Sequence, residues 1–298
     1  MKKKIIAILF RFINLITKEV GFETEKTMVI NQLNKQNLFS VNSIVNNNKS
    51  NKITISLTTF GIRINDVYLA IESIGKQTLK PSRVILWLSQ DEYHPEKLPI
   101  TLMNLKLRGL EIKFCKDLRS YKKIIPTIKE CPNDLIITID DDVIYNFDLI
   151  EVLYKNHLKD PKVIYCGHAK VMKIKSKLKF DYGSWVKANE NSEKSLMNFP
   201  IGFGGVLYFP GCFDTEVLNE DAFMSLAPTA DDIWLKAMSL INKIPVKQVS
   251  CDFSKFSKFI PLGIAQEDSL SIANVRMEKN NEQLTNVFKQ YNCFFVFK

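Results

Sequence analysis

Three consecutive carboxylates, Asp140, Asp141 and Asp142, follow an apolar run rich in β-branched residues, LIITI. Adjacent carboxylates repel one another, so such a cluster is most easily tolerated where a cation or several hydrogen-bond donors neutralise it. Hard divalent cations such as Mg²⁺ and Mn²⁺ prefer oxygen ligands and commonly link protein carboxylates to substrate phosphates. The triplet therefore predicts a metal site for a phosphate-bearing ligand, and a solvated acidic turn is the alternative.

A second acidic pair, Asp231 and Asp232, precedes an amphipathic helical pattern. Carboxylates at the start of a helix favour the positive end of its dipole, so capping is one interpretation. A carboxylate can also take the proton of an attacking hydroxyl as a general base. Both roles can hold at once.

Glycine is concentrated between the two acidic groups, in GFGGVLYFPG, residues 202 to 211, which holds four of the eleven glycines of the chain. Glycine permits tight turns and the close approach of a ligand to the backbone. A loop at a binding site is the functional interpretation, and a strand hairpin with a bulge is the alternative.

Basic side chains occur in the segment DLRSYKK, residues 117 to 123. Arg119 stands at the end of a predicted strand, where a guanidinium is well placed to meet a diphosphate. Lys122 and Lys123 fall within the following predicted helix, and solvated lysines are the alternative for both.

Alternating strand and helix patterns position these residues. Strands are predicted at 52–61, 83–89, 111–116 and 135–140, and helices at 65–77, within 95–109 and at 120–131. Near-continuous apolar strands in this order predict an α/β fold with a parallel sheet covered by helices on both faces. Ligands bind at the carboxyl ends of the strands in such sheets, where the fourth strand would deliver the acidic triplet.

Composition fits a folded protein of 298 residues, 46% hydrophobic and 24% charged. The six cysteines form no CxxC pair and the three histidines do not cluster, which argues against a zinc site or a disulfide framework and favours a reducing compartment. The net charge of +9 is spread along the chain, and no RNA-binding motif accompanies it. We therefore expect no nucleic-acid partner.

The N-terminal segment MKKKIIAILFRFINLIT combines lysines with an interrupted apolar run that is short for a membrane span. Residues 1–33 are predicted as a helical extension, either lying on an anionic membrane surface or packed as an ordinary helix. The polar, asparagine-rich residues 34–51 are predicted as a linker, and the main domain as 52–298.

Four of these segments, in this order, resemble glycosyltransferases of the GT-A fold, particularly the family 2-like enzymes of bacterial surface-polysaccharide synthesis. Residues 53–93 resemble the nucleotide-binding opening of that fold, and LIITIDDDVIY its DxD motif. NFPIGFGGVLYFPG and TADDIWLKAMSL resemble its acceptor-side glycine loop and acidic catalytic motif. The likeness covers about residues 52 to 245. It implies a GT-A (Rossmann-like), mostly parallel central sheet flanked by helices, with a nucleotide-sugar half at 52–145 and an acceptor half at 146–298.

The resemblance also implies roles for single residues on the donor side. Metal binding would fall to Asp142 and Asp140, with Mn²⁺ or Mg²⁺ as the cofactor. A UDP-sugar is favoured, although Ser89 stands where many relatives have a base-binding Asp, which leaves Asp91 as the substitute and the base in doubt. The residues implied to bind the nucleotide sugar are Thr58, Thr59, Phe60, Asp91, Arg119, Lys123, Asp140 and Asp141.

On the acceptor side, the resemblance implies that Asp232, or secondarily Asp231, is the base of an inverting transfer. The glycines Gly204 and Gly205 would border the acceptor. Trp185 would stack on an acceptor sugar, with a core position as the alternative.

Either Asn274 or Asn281 would border the donor.

The expected activity is hexosyltransferase-like: transfer of a sugar from a nucleoside diphosphate sugar to a glycan or lipid-linked acceptor at the cytoplasmic face of the membrane. One alternative is a non-catalytic sugar-nucleotide-binding protein of the same fold. Another is a phosphohydrolase of the haloacid dehalogenase type, which also has Asp-x-Asp after an apolar strand; that strand normally opens its core, whereas three αβ units precede it here.

Overall fold

The computed structural model describes residues 2–46, 52–176, 179–189, 193–250, 260–262 and 279–297. By its internal contacts the chain divides into two compact units, Met1–Ser40 and Val41–Lys298. The first consists of one long helix, α1 (Lys2–Phe39). No helix of the described residues is both long and apolar enough to cross a bilayer.

The predicted linker differs from the structure. Residues 34–39 continue α1, because polar residues such as Asn and Gln lower helix stability only slightly once a helix has formed. In the second unit Ile44 is buried, and its N–H donates to the Arg108 carbonyl at 2.9 Å. Residues 47–51 of the predicted linker lie outside the described residues.

The second unit is built of strands and helices in alternation. Its strands are β1 (Ile53–Thr58), β2 (Arg83–Ser89), β3 (Leu110–Cys115), β4 (Leu135–Thr138), β5 (Val143–Ile144), β6 (Ile164–Cys166), β7 (Ala169–Val171), β8 (Ile174–Ser176), β9 (Lys179–Phe180), β10 (Val186–Lys187), β11 (Asn198–Pro200), β12 (Val206–Tyr208), β13 (Val246–Gln248) and β14 (Ile260–Pro261). Its α-helices are α2 (Val67–Gly75), α3 (Ile100–Leu107), α4 (Ile125–Glu130), α5 (Leu149–Lys159), α6 (Glu220–Leu226), α7 (Asp231–Ile241) and α8 (Lys279–Gln290).

A seven-stranded sheet forms the centre, in the order β13-β6-β12-β4-β1-β2-β3. Strands β4, β1, β2 and β3 run parallel, β12 is antiparallel to both β4 and β6, and β13 is parallel to β6. The mostly parallel sheet is thus confirmed. Three small sheets accompany it: β10-β7-β11, β14-β5 and β8-β9.

Helices cover both faces of this sheet, as predicted. Ile136 and Val206 belong to one apolar cluster, whereas their chain neighbours Ile137 and Leu207 belong to another. Successive residues of a strand point to opposite faces, so the two clusters lie on opposite sides of the sheet. Buried residues of α2, α3 and α5 belong to the second cluster, and those of α6, α7 and α8 to the first.

Two element boundaries matter for the site. Strand β1 ends at Thr58, so Thr59 and Phe60 belong to the loop that follows. The helix predicted over 120–131 is instead a 3₁₀ turn, Arg119–Lys123, followed by α4. Pro126 explains the break, because it lacks an N–H and is tolerated only in the first turn of a helix.

Candidate active site

A cavity of about 560 Å³ lies at the carboxyl ends of β1 and β4, where the parallel-sheet rule predicts a ligand. Its lining comes from within segments 58–63, 117–123, 140–142, 199–203 and 229–233, with Glu92, Tyr182 and Asn280. Both acidic groups singled out from the sequence line this one cavity, although they are far apart in the chain.

Asp141, the central carboxylate of the triplet, is held by the protein itself. The Thr59 hydroxyl donates to its Oδ2 at 2.6 Å, and Arg63 Nη1 donates to its Oδ1 at 2.9 Å. Burial raises the pKa of Asp141, and the Arg63 guanidinium opposes that rise. Arg63 was not among the predicted site residues; its position just after β1, at the ligand edge of the sheet, was the available signal.

The two outer carboxylates remain partly open to the cavity, with side-chain exposures of 28% for Asp140 and 21% for Asp142. Arg63 Nη1 lies 3.3 Å from Asp142 Oδ2. Burial, followed by repulsion from Asp140 and Asp141, raises the pKa of Asp142 to about 6. A further positive charge at this position would relieve that repulsion.

A divalent cation fits this donor set if a ligand completes it. Among the described residues no group of three or more Asp, Glu, His or Cys side chains is arranged to hold a metal ion. Asp140 and Asp142 would therefore be the protein's contribution. Mg²⁺ and related ions are commonly held by one or two carboxylates together with substrate phosphates and water, which matches this pair.

Lys123 joins the two acidic groups. Its Nζ lies 2.8 Å from Asp140 Oδ1 and 3.1 Å from Asp231 Oδ2, the second contact being an ion pair without hydrogen-bond geometry. Burial alone would lower the pKa of Lys123, but the carboxylates of Asp140, Asp231 and Asp232 raise it well above its usual value. Lys123 is thus a buried ammonium at the centre of the site rather than a solvated lysine.

The second acidic pair begins α7, as the helical pattern predicted. Ala230 is the N-cap residue, and Asp231 and Asp232 lie in the first turn. The Gly202 N–H donates to Asp232 Oδ2 at 3.0 Å. Burial and the neighbouring Asp231 raise the pKa of Asp232, with Lys123 opposing them. A carboxylate that gains a proton more easily than usual is suited to general-base work.

Within the glycine-rich loop only the first glycine borders the charged groups. A Cβ on Gly202 would lie 3.1 Å from Lys123 Nζ and 3.2 Å from Asp232 Oδ1. Gly204 instead packs on the protein, because its Cβ would lie 2.5 Å from the backbone nitrogen of His168. Gly205 has φ +71° and faces Leu149. Gly204 and Gly205 thus pack tightly against the protein and are not among the residues that line the cavity, and their acceptor contact stays a prediction.

Arg119 lines the cavity in a left-handed backbone conformation, with φ 53°. Its Nη1 donates to the Pro228 carbonyl at 3.3 Å, which places the guanidinium beside the segment leading into α7. Lys122 also lines the cavity and forms an ion pair with Asp117. Two further cationic residues thus line the cavity on this side.

At the β1 end, the Phe60 ring is 37% exposed, with the Arg63 guanidinium 4.8 Å from its centroid. The Thr58 hydroxyl donates to the Trp87 carbonyl at 2.8 Å. Asp91 is exposed and does not line the cavity, whereas Glu92 does and accepts from the Gly61 N–H. The turn after β2 therefore presents Glu92 where we predicted Asp91.

Trp185, which we predicted to stack on an acceptor sugar, occupies a core position. It is 4% exposed, and its Nε1 donates to the Lys173 carbonyl at 2.8 Å. The predicted stacking role is not supported by this placement, because the ring is covered by neighbouring aromatic residues. Tyr182, in the same segment, lines the cavity instead.

Of the two asparagines near the C-terminus that we predicted to border the donor, the structure describes only one. Asn274 lies outside the described residues. Asn281 Oδ1 accepts from the Tyr182 N–H at 2.8 Å, a structural contact. Its neighbour Asn280 lines the cavity, although nothing in the sequence pattern distinguished it.

No known protein-family profile and no curated protein matches the chain. Solved structures do. The mannosyltransferase PcManGT from Pyrobaculum calidifontis, in complex with GDP-Man and Mn²⁺, aligns with a TM-score of 0.50 at 10% identity, over 92% of this chain and 74% of that one.

Residues 1–349 of S. aureus TarS align with a TM-score of 0.46 at 13% identity, over 83% of this chain and 72% of that one. The same fragment in complex with UDP gives 0.45 at 12% identity, over 67% of this chain, and the chain spans only 58% of its length. The architecture, together with the likeness to PcManGT, shows that the chain has a GT-A-like glycosyltransferase fold.

Proposed function

We propose that the protein transfers a sugar from a nucleoside diphosphate sugar to a hydroxyl group of a glycan or lipid-linked acceptor. One observation carries the proposal: Lys123 forms ion pairs with both Asp140 and Asp231. It thereby links an acidic group suited to binding a metal and a diphosphate to a second acidic group suited to proton transfer. PcManGT, which shares the fold, is solved with GDP-Man and Mn²⁺.

In this proposal the donor lies along the cavity from Phe60 towards Asp140. Arg119 and Lys123 supply positive charge for the diphosphate, and Arg63 keeps Asp141 fixed below it. When bound at Asp140 and Asp142, a divalent cation would neutralise charge on the diphosphate leaving group. A UDP-sugar is the favoured donor, and Glu92, rather than Asp91, contacts its nucleobase.

Asp232 acts as the general base. The acceptor hydroxyl gives its proton to Asp232 while its oxygen forms a bond to the anomeric carbon and the bond from that carbon to the diphosphate oxygen breaks. Attack from the face opposite the leaving group inverts the anomeric configuration. The Gly202 N–H holds one carboxylate oxygen, which fixes the direction of the other.

The N-terminal lysines suggest where the acceptor is met. Lys2, Lys3 and Lys4 precede an apolar stretch in α1, an arrangement suited to the anionic inner face of a membrane. We place the protein there as a peripheral protein that acts on glycans or lipid-linked acceptors.

The test is a panel of nucleotide sugars with Mn²⁺ or Mg²⁺, read by thermal shift and by release of the nucleoside diphosphate. A ligand that binds only the native state raises its apparent stability. We expect at least one donor to raise the melting temperature and to release its nucleotide. Binding without turnover, with every acceptor tried, would favour the non-catalytic alternative, and no response to any donor would refute both.

A further inference from the structure

Asn280 is a buried residue of the cavity lining whose side-chain oxygen has no hydrogen-bond partner among the described residues. The residue is 9% exposed, and its Oδ1 accepts no hydrogen bond from the described residues. Buried polar groups in native proteins are nearly always paired, so each exception needs an explanation. A ligand that brings its own hydroxyl groups would supply the missing partner.

The surroundings of Asn280 are fixed. On one side, Asn281 Oδ1 accepts from the Tyr182 N–H at 2.8 Å. On the other, Gln283 Oε1 accepts from the Thr229 N–H at 3.0 Å, and Gln283 Nε2 donates to the Thr229 hydroxyl at 3.1 Å. The first turn of α8 is therefore clamped at two points, and the Asn280 amide is held in place between them.

Both sets of hydrogen bonds place Asn280 at the end of the cavity that holds the proposed general base, Asp232. Thr229 lies in the segment that leads directly into Asp231 and Asp232. The centroid of the Tyr182 ring lies 5.9 Å from that of the Phe199 ring, which comes just before the loop whose Gly202 N–H donates to Asp232, so it lies on the side of the cavity that holds the proposed base. Nucleotide recognition belongs to the opposite end, at Phe60 and Glu92.

We propose that Asn280, together with Tyr182 of the same cavity lining, binds a non-reacting hydroxyl of the acceptor sugar and so orients the reacting hydroxyl towards Asp232. An amide both donates and accepts, which suits a hydroxyl that does the same. The acceptor subsite is thus built for a neutral, hydroxyl-rich sugar ring. This inference rests on the proposed transferase function and adds the acceptor class to it.

The test compares Asn280→Ala with Asn286→Ala, an exposed asparagine on the same helix. The full-length protein is first titrated with UDP and GDP in MnCl₂ by thermal shift. With saturating nucleotide present, it is then titrated with methyl glycosides of glucose, mannose, galactose and N-acetylglucosamine. Melting temperatures without any ligand are recorded for all variants.

We expect Asn280→Ala to raise the half-saturating concentration of the best glycoside about tenfold, which corresponds to about 1.4 kcal/mol. Nucleotide titrations should stay within twofold of wild type, and Asn286→Ala should match wild type throughout. The ligand-free melting temperature of Asn280→Ala should not fall, because no hydrogen bond is lost and alanine is the better helix former.

Other outcomes separate the two proposals. No nucleotide response in wild type would refute the transferase function itself. A nucleotide response with no glycoside response, or with equal glycoside titrations in wild type and Asn280→Ala, would overturn the acceptor subsite. If Asn280→Ala does not fold, the amide is structural; Asn280→Ser, titrated in the same way, must then show the same tenfold weakening or the subsite is rejected.

Discussion

At the scale of single residues, the carboxylates that share one cavity differ in their partners and in their exposure. Asp141 is fully engaged by Thr59 and Arg63, Asp140 and Asp142 retain exposure for a ligand, and Asp232 is held by the Gly202 N–H. Chain position alone does not separate these roles. Burial and partners do, because they decide which carboxylate is already neutralised.

We predict that Asp232→Asn abolishes transfer while sparing donor binding. Removing a general base typically costs about 100-fold to 10,000-fold in rate. Release of nucleoside diphosphate in the presence of acceptor measures transfer, and a thermal shift with nucleotide measures binding. Unimpaired transfer by this variant would move the base to another residue.

The transfer rate of the wild-type protein should also rise with pH. Burial and Asp231 raise the pKa of Asp232, so the carboxyl remains protonated, and inactive as a base, at pH values where an ordinary Asp is ionised. A pH profile of kcat/KM should therefore have its acidic limb above the usual range of a carboxyl group. A rate that is independent of pH from 4 to 8 would contradict the assignment.

A third prediction concerns the stability of the fold rather than catalysis, and it rests on Lys236. It is 1% exposed in α7, its Nζ has no hydrogen-bond partner among the described residues, and burial lowers its pKa to about 7. Below pH 7 the folded protein must bury a charged amine, so this lysine destabilises the fold most strongly there; the penalty fades as pH rises from about 7 to the pKa of a free lysine.

Lys236→Met should therefore raise the free energy of unfolding, by about 1–3 kcal/mol near pH 7, and by less at pH 10. Denaturant unfolding at several pH values measures this difference. Lys289→Met, at an exposed position of α8, is the control and should change stability by no more than about 0.5 kcal/mol. An equal effect of both variants would show that burial of Lys236 is not the cause.

At the scale of elements, the loop after β11 packs closely against the backbone near His168. Gly204 meets the backbone of His168, which cannot move as a side-chain end could. We expect Gly204→Ala to destabilise the protein by about 1–3 kcal/mol, as overpacking does. Gly183→Ala is the control, because its nearest neighbour lies 3.8 Å away. Chemical denaturation compares them, and equal stabilities would show that the loop has room.

The sequence predicted the elements better than their ends. Strands β1 to β4 and the start of α7 followed from apolar runs and helical periodicity, which are local properties. The positions of Trp185 and Asp91 could not be predicted in this way. They depend on the hydrogen bond of the Trp185 ring to Lys173 and on the turn that presents Glu92, and neither produces a periodic pattern in the sequence. For Lys123 the pattern left a solvated helix lysine as the alternative to a ligand contact, because the 3₁₀ turn that places it between Asp140 and Asp231 was not predicted.

At the scale of the whole molecule, we propose that the N-terminal helix binds an anionic membrane surface. Binding of the full chain to vesicles containing phosphatidylserine should weaken when Lys2, Lys3 and Lys4 are changed to Gln, by about 1 kcal/mol for each lysine near the surface. Vesicle flotation measures this, with phosphatidylcholine vesicles as the control. Equal binding of both proteins would remove the membrane role.

The fold class and the ligand edge of the sheet were predictable from the sequence, because strand order and the parallel-sheet rule together fix where β4 ends. The joining of the two acidic groups was expected only through resemblance. Their actual link, a buried ammonium, depends on long-range packing of β4, the turn at Arg119–Lys123 and α7. Two further residues of the cavity lining, Tyr182 and Asn280, were not predicted at all, since they come from segments without a motif.

The most direct test of the central claim is calorimetric titration with UDP and with GDP, in MnCl₂ and in EDTA, for wild type, Asp142→Asn and Asp232→Asn. We predict that at least one nucleotide binds wild type only with Mn²⁺, that Asp142→Asn weakens this binding at least about tenfold, or about 1.4 kcal/mol, and that Asp232→Asn retains it. Mn²⁺-dependent binding that survives unchanged in Asp142→Asn would contradict the division of the site into a metal-binding and a proton-accepting half.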